Sequence, residues 1–180
     1  MSWVESESVS QKMKMKSLEA FKSQKPQNIW ILKTSWYPEI IEGLEKSSRG
    51  FLEELGVKSE NITTVEIPGA CELPFMAQNI IRQSVQPIDF LVVLGCVVNG
   101  ETPHFNFVCS LAFEGLLRVQ LDTSTPMGIG VLTVQNLAQA QQRIQKGAEA
   151  AQAAYQVWAL SKNNFKQFSI QRPQDLEKGI

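Results

Sequence analysis

Short apolar runs and segments with helical periodicity alternate four times along the chain. The first run, IWILKT at 29–34, precedes Pro38 and a series of apolar residues at helical spacing that stops near Gly56. Three further units repeat this order. Their predicted strands are 61–67, 89–98 and 127–133, and their predicted helices run from Glu72 to about Ser84, from Pro103 to about Leu121 and over 136–160.

This order of elements predicts a parallel sheet with helices on both faces. Parallel neighbours need crossover connections, and a helix supplies them. The third predicted strand is apolar throughout, which is typical of a strand covered on both faces. The pattern therefore indicates an α/β domain around a four-stranded parallel sheet.

Both ends of the chain are polar. Residues 1–27 and 161–180 are rich in Ser, Lys, Glu and Gln, so we expect a flexible N-terminal arm and a fraying C-terminal tail around a domain at 28–160. With 180 residues, of which 43% are apolar, the chain can bury a core without a disulfide or a metal.

The charge balance argues against two classes of main partner. The 17 Lys and Arg residues against 18 Asp and Glu give a net charge of −1, with no dense basic cluster for nucleic acid or an anionic membrane. No apolar run approaches the roughly 20 residues of a membrane-spanning helix. The first 25 residues lack an apolar stretch of signal-peptide length, so we expect a cytoplasmic location.

The three cysteines do not suggest a metal or redox site. Cys71, Cys96 and Cys109 are widely spaced and lack a C-x-x-C pattern. We predict reduced, buried thiols and no bound metal.

The loop after the third strand has the strongest chemical signal. Ligands of open parallel sheets bind beyond the carboxyl ends of the strands. Thr102 suits a helix N-cap and Pro103 a first helical position, so a helix is predicted to begin there. Gly100 permits close approach of the backbone, and the amides of Glu101 and Thr102 with the positive helix end favour an anion such as phosphate.

His104, the only histidine of the chain, falls in the first turn of that helix. An imidazole beside a bound anion suits proton transfer near neutral pH. A lone histidine is more often a surface or capping residue, but its position beside the predicted anion site favours a functional role.

The other strand-to-helix loops have weaker signals. Trp36 could stack on a heterocycle or serve only in packing. Glu72 could accept hydroxyls of a ligand or interact only with the helix dipole, with the Gly69 and Ala70 backbone against a flat ring. For Arg143 and Lys146 the spacing alone favours a solvated helix face.

Four motifs together resemble the lumazine synthase family. They are GACELP (69–74), GCVVNGETPHFNFV (95–108), GVLT (130–133) and KGAEAA (146–151), in an order that covers about 29–160. The resemblance implies a flavodoxin-like three-layer α/β/α sandwich. It also implies a homopentamer, in some members a larger shell, with active sites shared between subunits.

The resemblance implies a transferase of riboflavin biosynthesis that needs no cofactor. It would condense 5-amino-6-ribitylaminouracil with dihydroxybutanone phosphate to give dimethyl-ribityllumazine, releasing phosphate and water. His104 would be the general acid and base. The implied contacts to the pyrimidine and its ribityl chain are Trp36, Gly69, Ala70, Glu72, Val97 and Val98. Those to the phosphate are Gly100, Glu101 and Thr102. The remaining implied substrate-binding residues are Ile129, Arg143 and Lys146.

Some positions depart from the family pattern. The family usually has a basic residue at Asn99, an Asn at Tyr37 and commonly an aromatic residue at Ile129, and the segment between Arg143 and Lys146 is shorter than usual. These departures motivate an alternative, a catalytically impaired relative that binds flavin or lumazine or serves in an assembly. A flavodoxin-like electron carrier is a weaker alternative, since the first loop lacks a longer phosphate-binding segment.

Overall fold

The structure, a computed structural model, describes residues 25–162. Four parallel strands form one sheet in the order β2-β1-β3-β4. The strands are β1 (Ile29–Thr34), β2 (Ile62–Ile67), β3 (Phe90–Val98) and β4 (Met127–Val134). The helices are α1 (Pro38–Glu54), α2 (Leu73–Gln83), α3 (His104–Thr123), α4 (Leu137–Gln141) and α5 (Lys146–Lys162), with 3-10 turns at Ser59–Asn61 and Ala70–Glu72.

The helices form two layers, one on each face of the sheet. Helices α1 and α5 pack together on one face with α4 beside them, and α2 and α3 pack together on the other. In β3, Phe90, Val92 and Leu94 belong to the cluster under α1 and α5, whereas Leu91 and Val93 belong to the cluster under α2 and α3. The predicted three-layer sandwich, with β3 covered on both faces, is confirmed.

The Ala-rich segment at 136–160 is two helices rather than one. A turn at 142–145 separates α4 from α5, and Gly147 lies inside α5. A Cβ on Gly147 would lie 2.0 Å from the carbonyl oxygen of Leu44, and one on Gly128 would lie 1.9 Å from that of Ala150. Small residues therefore let α5 approach α1 and β4 within the same subunit.

Three helix boundaries also differ from the predictions. Helix α1 ends before Gly56, which has a φ of 77° and closes the turn after it. The residues that precede Leu73 form a 3-10 turn, so α2 begins one residue later than predicted. Helix α3 continues to Thr123, where Ser124 ends it in the left-handed conformation with a φ of 52°.

Asp89 connects the first and last described segments. Its Oδ2 accepts hydrogen bonds from the backbone N–H groups of Gln27 (2.7 Å) and Asn28 (3.0 Å), and its Oδ1 accepts one from Trp158 Nε1 (2.9 Å). Most of the predicted arm and tail lies outside the described residues, although α5 extends to Lys162, beyond the predicted domain end at 160.

Candidate active site

The sheet order places three chemically promising loops next to one another. Strands β1 and β3 are neighbours, but the chain leaves β1 toward α1 on one face and leaves β3 toward α3 on the other. Ligands of parallel α/β proteins bind at such a switch point. The loop after β2 lies on the other side of β1, so the loops that carry Trp36, Glu72 and His104 share one edge of the sheet.

Trp36 and Glu72 meet at Gly69. A Cβ on Gly69 would lie 2.9 Å from Glu72 Oε2 and 3.7 Å from Trp36 Nε1, so it would displace the Glu72 carboxylate and touch the indole at van der Waals distance. Ser35 holds the two loops together, since its backbone N–H donates to Ile67 O (3.0 Å) and its hydroxyl donates to Pro68 O (3.0 Å). The Trp36 side chain is 64% exposed, so its indole ring is open to solvent at this edge of the sheet.

The backbone at Tyr37 reverses direction between the loop and α1. Tyr37 has a φ of 59° and a ψ of 64°, the left-handed region that bulky residues rarely adopt. Its half-buried ring packs against the cluster under α1 and α5, and its centroid lies 6.4 Å from that of Trp36. The strained turn thus directs Trp36 toward solvent and Tyr37 toward the core.

The loop after β3 is exposed to solvent, and several of its backbone N–H groups form no hydrogen bond within the described part of the protein. Within residues 25–162, the backbone N–H groups of Gly100, Glu101 and Thr102 donate to no protein acceptor. The prediction that Thr102 caps the helix and Pro103 opens it is wrong by one residue. Pro103 occupies the cap position, no side chain caps the helix, and α3 begins at the exposed His104.

The end of β3 connects this loop to the rest of the sheet. Val97 and Val98 are half-buried and pair with Thr133 and Val134 of β4. Val97 packs on the α2 and α3 side, near the 3-10 turn that contains Ala70, and Val98 packs on the opposite side. A ligand over the carboxyl edge would therefore have the backbone of β3 beneath it.

A second group of predicted residues lies along the outer side of the sheet. Ile129, Arg143 and Lys146 line an open cavity of about 450 Å³ beside the edge strand β4, and neither Trp36 nor Glu72 lines it. Lys146 forms an ion pair with Glu149. The structure therefore divides the predicted site residues into two groups within one chain.

Two residues near the junction of β4 and α4, Gln135 in the loop and Gln139 in α4, were not predicted. Gln135 Oε1 accepts a hydrogen bond from Asn99 Nδ2 (2.8 Å), and Gln139 Oε1 accepts one from Gln135 N (2.9 Å). The sequence signal is NLAQ at 136–139, an N-cap Asn with a Gln three residues later. Asn136 is that N-cap, and its side chain accepts a bond from Gln139 N.

The cysteines match their prediction only in part. All three are free thiols, and burial raises the pKa of Cys96 to about 11. Cys71 is exposed beside Glu72, so the prediction that it is buried is wrong. The 3-10 turn after β2 buries Ala70 in the core and leaves Cys71 and Glu72 on its exposed side. Among residues 25–162 there is no group of three or more acidic, Cys or His residues placed to hold a metal.

The fold and the carboxyl-edge site define an α/β enzyme of the flavodoxin-like type. In the described part of the chain, no helix is long and apolar enough to cross a membrane. Residues 26–162 match the family model of 6,7-dimethyl-8-ribityllumazine synthase.

Curated proteins with that name resemble the chain over most of its length. Those of Kineococcus radiotolerans and Mycobacterium avium are 42% and 40% identical over 131 residues, which cover 69% of this chain and 78% of each relative. That of Paracidovorax citrulli is 39% identical, with 72% of this chain and 84% of the relative covered. The chain belongs to the 6,7-dimethyl-8-ribityllumazine synthase family, and the predicted class, a transferase of riboflavin biosynthesis, is confirmed.

Proposed function

We propose that the protein condenses 5-amino-6-ribitylaminouracil with dihydroxybutanone phosphate to form 6,7-dimethyl-8-ribityllumazine, without a metal or organic cofactor. The observation that carries this proposal is the loop after β3, where an exposed imidazole adjoins three backbone amides that have no protein acceptor. Family membership supplies the reaction class. The domain at 28–160 would contain the complete contribution of one subunit.

The pyrimidine would bind across the first two loops. Its ring would stack on the indole of Trp36, beside the backbone of Gly69 and Ala70. Glu72 would accept hydrogen bonds from the ribityl hydroxyls. The backbone of Val97 and Val98 would contact the ring from the end of β3.

The phosphate would bind at the third loop. The free amides of Gly100, Glu101 and Thr102 can donate to its oxygens, and the N-terminal end of α3 stabilises negative charge. The amine of the pyrimidine attacks the ketone, and loss of one water gives an imine. Phosphate then leaves, and ring closure releases a second water. His104 would transfer protons at these steps, next to the group that departs.

Arg143 and Lys146 would complete the phosphate site of an adjacent subunit. In one chain they line the cavity beside β4, which is open along the edge strand. A neighbouring copy placed against that edge would bring a second loop of residues 99–104 toward these cations. Ile129 would contact the same bound substrate from the strand. The two separate groups of site residues thus support a site shared between subunits.

An apolar surface on α3 supports assembly of the homopentamer. Large apolar side chains on the solvent-facing side of the helix that begins at His104 are exposed, with Glu114 and Arg118 between them. They are Phe107 (66%), Leu111 (61%), Leu117 (51%) and Leu121 (68%). We name these four residues the α3 stripe. A second copy that covers the stripe would also enclose His104, and the rings could associate further into a shell.

A cytoplasmic location is part of the proposal. The free thiols of Cys71, Cys96 and Cys109 support it, since proteins of reducing compartments keep their cysteines unpaired.

The test is the reaction itself, with both substrates and the purified chain. We expect lumazine to form, seen by its fluorescence, and His104→Ala to lower kcat by about 100-fold, the contribution of one general acid or base. Asn106→Ala, an exposed neighbour on α3, is the control and should retain activity. A folded wild-type protein that gives no lumazine above the uncatalysed rate would contradict the proposal and favour a noncatalytic lumazine- or flavin-binding protein.

A further inference from the structure

A chain of hydrogen bonds connects the third loop to Arg143. Asn99 Nδ2 donates to Gln135 Oε1 (2.8 Å), and Gln135 N donates to Gln139 Oε1 (2.9 Å). The carbonyl oxygen of Gln139 accepts a bond from Arg143 Nη1 (2.8 Å). We name these four residues the amide relay. It extends from the first residue of the proposed phosphate loop to the proposed phosphate-binding cation.

Asn99 is held at two points. Its backbone N–H donates to Val134 O (2.8 Å), which continues the contact between β3 and β4 one residue beyond the paired strands. Its side-chain amide is bound to Gln135 across the same gap. The two bonds fix the direction of the backbone at Asn99, and therefore the orientation of Gly100 and of the free N–H groups that follow. The position of the amides therefore depends on the loop after β4.

Gln139 is the central residue of the relay. Its backbone N–H donates to Asn136 Oδ1 (3.0 Å), its side chain accepts from Gln135, and its carbonyl accepts from Arg143. Helix α4 has only five residues, and so short a helix has little stability of its own. Together with the burial of Ala140 in the core, these bonds hold α4 and the turn after it, which contains Arg143.

The relay is uncharged up to Arg143. The guanidinium is bound to a backbone carbonyl and forms no ion pair among residues 25–162. A carbonyl oxygen orients one N–H group and leaves the positive charge and the remaining donors available to an anion. A carboxylate at the same place would orient the group but also neutralise it.

We propose that Asn99, Gln135 and Gln139 are positioning residues for phosphate recognition, which set the free amides of the third loop and the Arg143 guanidinium through one continuous uncharged link. The inference rests on the proposed function, because the relay would connect two sites: the third-loop site of its own subunit and the adjacent subunit's site that Arg143 would complete, each binding the phosphate of the four-carbon substrate. None of the three side chains has to touch that phosphate.

A double-mutant cycle on the first bond of the relay tests this inference. The variants are Asn99→Ala, Gln135→Ala and their combination, with Gln142→Ala as the control, an exposed glutamine of the same segment whose side chain makes no hydrogen bond within residues 25–162. The probes are inorganic phosphate, titrated by calorimetry, and the KM for dihydroxybutanone phosphate in the two-substrate assay.

Each single variant should weaken phosphate binding about three- to tenfold, the size of one hydrogen bond, and the double variant should be no weaker than the weaker single. The KM for the pyrimidine and the melting temperature should change little, and Gln142→Ala should behave as wild type. Single effects that multiply in the double variant, or an equal rise in both KM values, would overturn the inference.

Gln135→Glu gives a second, independent measurement. The carboxylate can still accept the bond from Asn99, so the fold should persist, but its charge should weaken phosphate binding at low salt and less so at high salt. Unchanged phosphate binding by this variant, or a wild-type protein that binds no phosphate, would overturn the inference. A wild-type protein that makes no lumazine, yet binds phosphate with a nonadditive cycle, would contradict only the proposed function.

Discussion

Helices α5 and α3 use their apolar residues in opposite ways. Helix α5 buries seven of its 17 residues, mostly alanines, against α1 and β4 in the same subunit. Helix α3 has 20 residues and buries only Ala112, Leu116 and Val119, while the larger residues of the α3 stripe remain exposed. Small residues therefore serve close packing inside the subunit, and large ones on α3 form a surface suited to another subunit.

The largest expected effect on stability comes from a change in the close packing of α5 against α1. Gly147→Ala should lower the free energy of unfolding by about 3 kcal/mol, because its Cβ would overlap the backbone carbonyl of Leu44. Urea denaturation followed by circular dichroism measures the change. Gly50→Ala on α1 is the matched control. No atom lies within 4 Å of its Cβ position, so this change should stabilise the protein by about 0.5–1 kcal/mol. Equal stability of both variants would refute the close approach of α5.

The matching change on the exposed face of α3 should affect assembly of the subunits and not the folding of each one. Leu117→Glu places a charge in the α3 stripe and should lower the mass measured by sedimentation to that of smaller species. The stability of each subunit should change by no more than about 0.5 kcal/mol. The control is Val85→Glu, a fully exposed apolar residue outside the stripe. An unchanged mass for Leu117→Glu would show that the stripe is not a subunit contact.

Part of the stability that the layer of α1 and α5 provides should depend on pH. Glu45 on α1 accepts hydrogen bonds from Lys33 of β1 (2.8 Å) and from Arg49 of the same helix (2.8 Å), and the first of them joins α1 to β1. Burial raises the pKa of Glu45, but the bonds from the two cations outweigh it and lower the pKa overall. The stabilisation is therefore complete above the pKa of the unfolded chain and is lost as pH falls through the lower folded value.

Glu45→Gln should accordingly destabilise the protein by about 1–2 kcal/mol at pH 7 and progressively less toward pH 3. Denaturation curves across that range measure the difference. Glu60→Gln, in the exposed ion pair with Lys58, should cost less than about 0.5 kcal/mol at any pH. If Glu45→Gln remained equally destabilised at low pH, the effect would come from packing and not from charge.

The smallest effect concerns the end of α3. Ser124 ends this helix with a φ of 52°, which glycine adopts without strain, so Ser124→Gly should stabilise the protein by about 0.5–1 kcal/mol. Ser84 ends α2 with a φ of −64°, and Ser84→Gly should destabilise it instead. Thermal unfolding of the two variants gives the comparison, and shifts of the same sign would contradict it.

The sequence predicted the elements better than their junctions. The strand patterns were sufficient because apolar runs such as 90–98 must be buried on both faces in any parallel sheet. The start of α3 was predicted one residue early, since Thr-Pro is compatible with two cap positions. The division of 136–160 into α4 and α5 was not predicted, because the turn at 142–145 contains no proline or glycine, and Gly147 marks a close contact.

The sequence predicted which loops form the candidate site, but not which of their residues contact one another. Trp36, Glu72 and His104 follow strands that any parallel sheet would bring to one edge. The pairing of Asn99 with Gln135 spans 36 residues and depends on the exact meeting of two loops, which no local pattern encodes. For the same reason, Arg143 and Lys146 could be placed on the chain but not assigned to the outer side of β4.

The position of Asp89 has a practical consequence. It precedes β3, at the amino ends of the strands, and there it binds both Gln27 and Trp158. The described part of the chain thus begins and ends at the pole opposite the candidate site. A fluorescent label attached to the exposed Lys162 would therefore lie on that far pole, away from the loops that carry Trp36, Glu72 and His104.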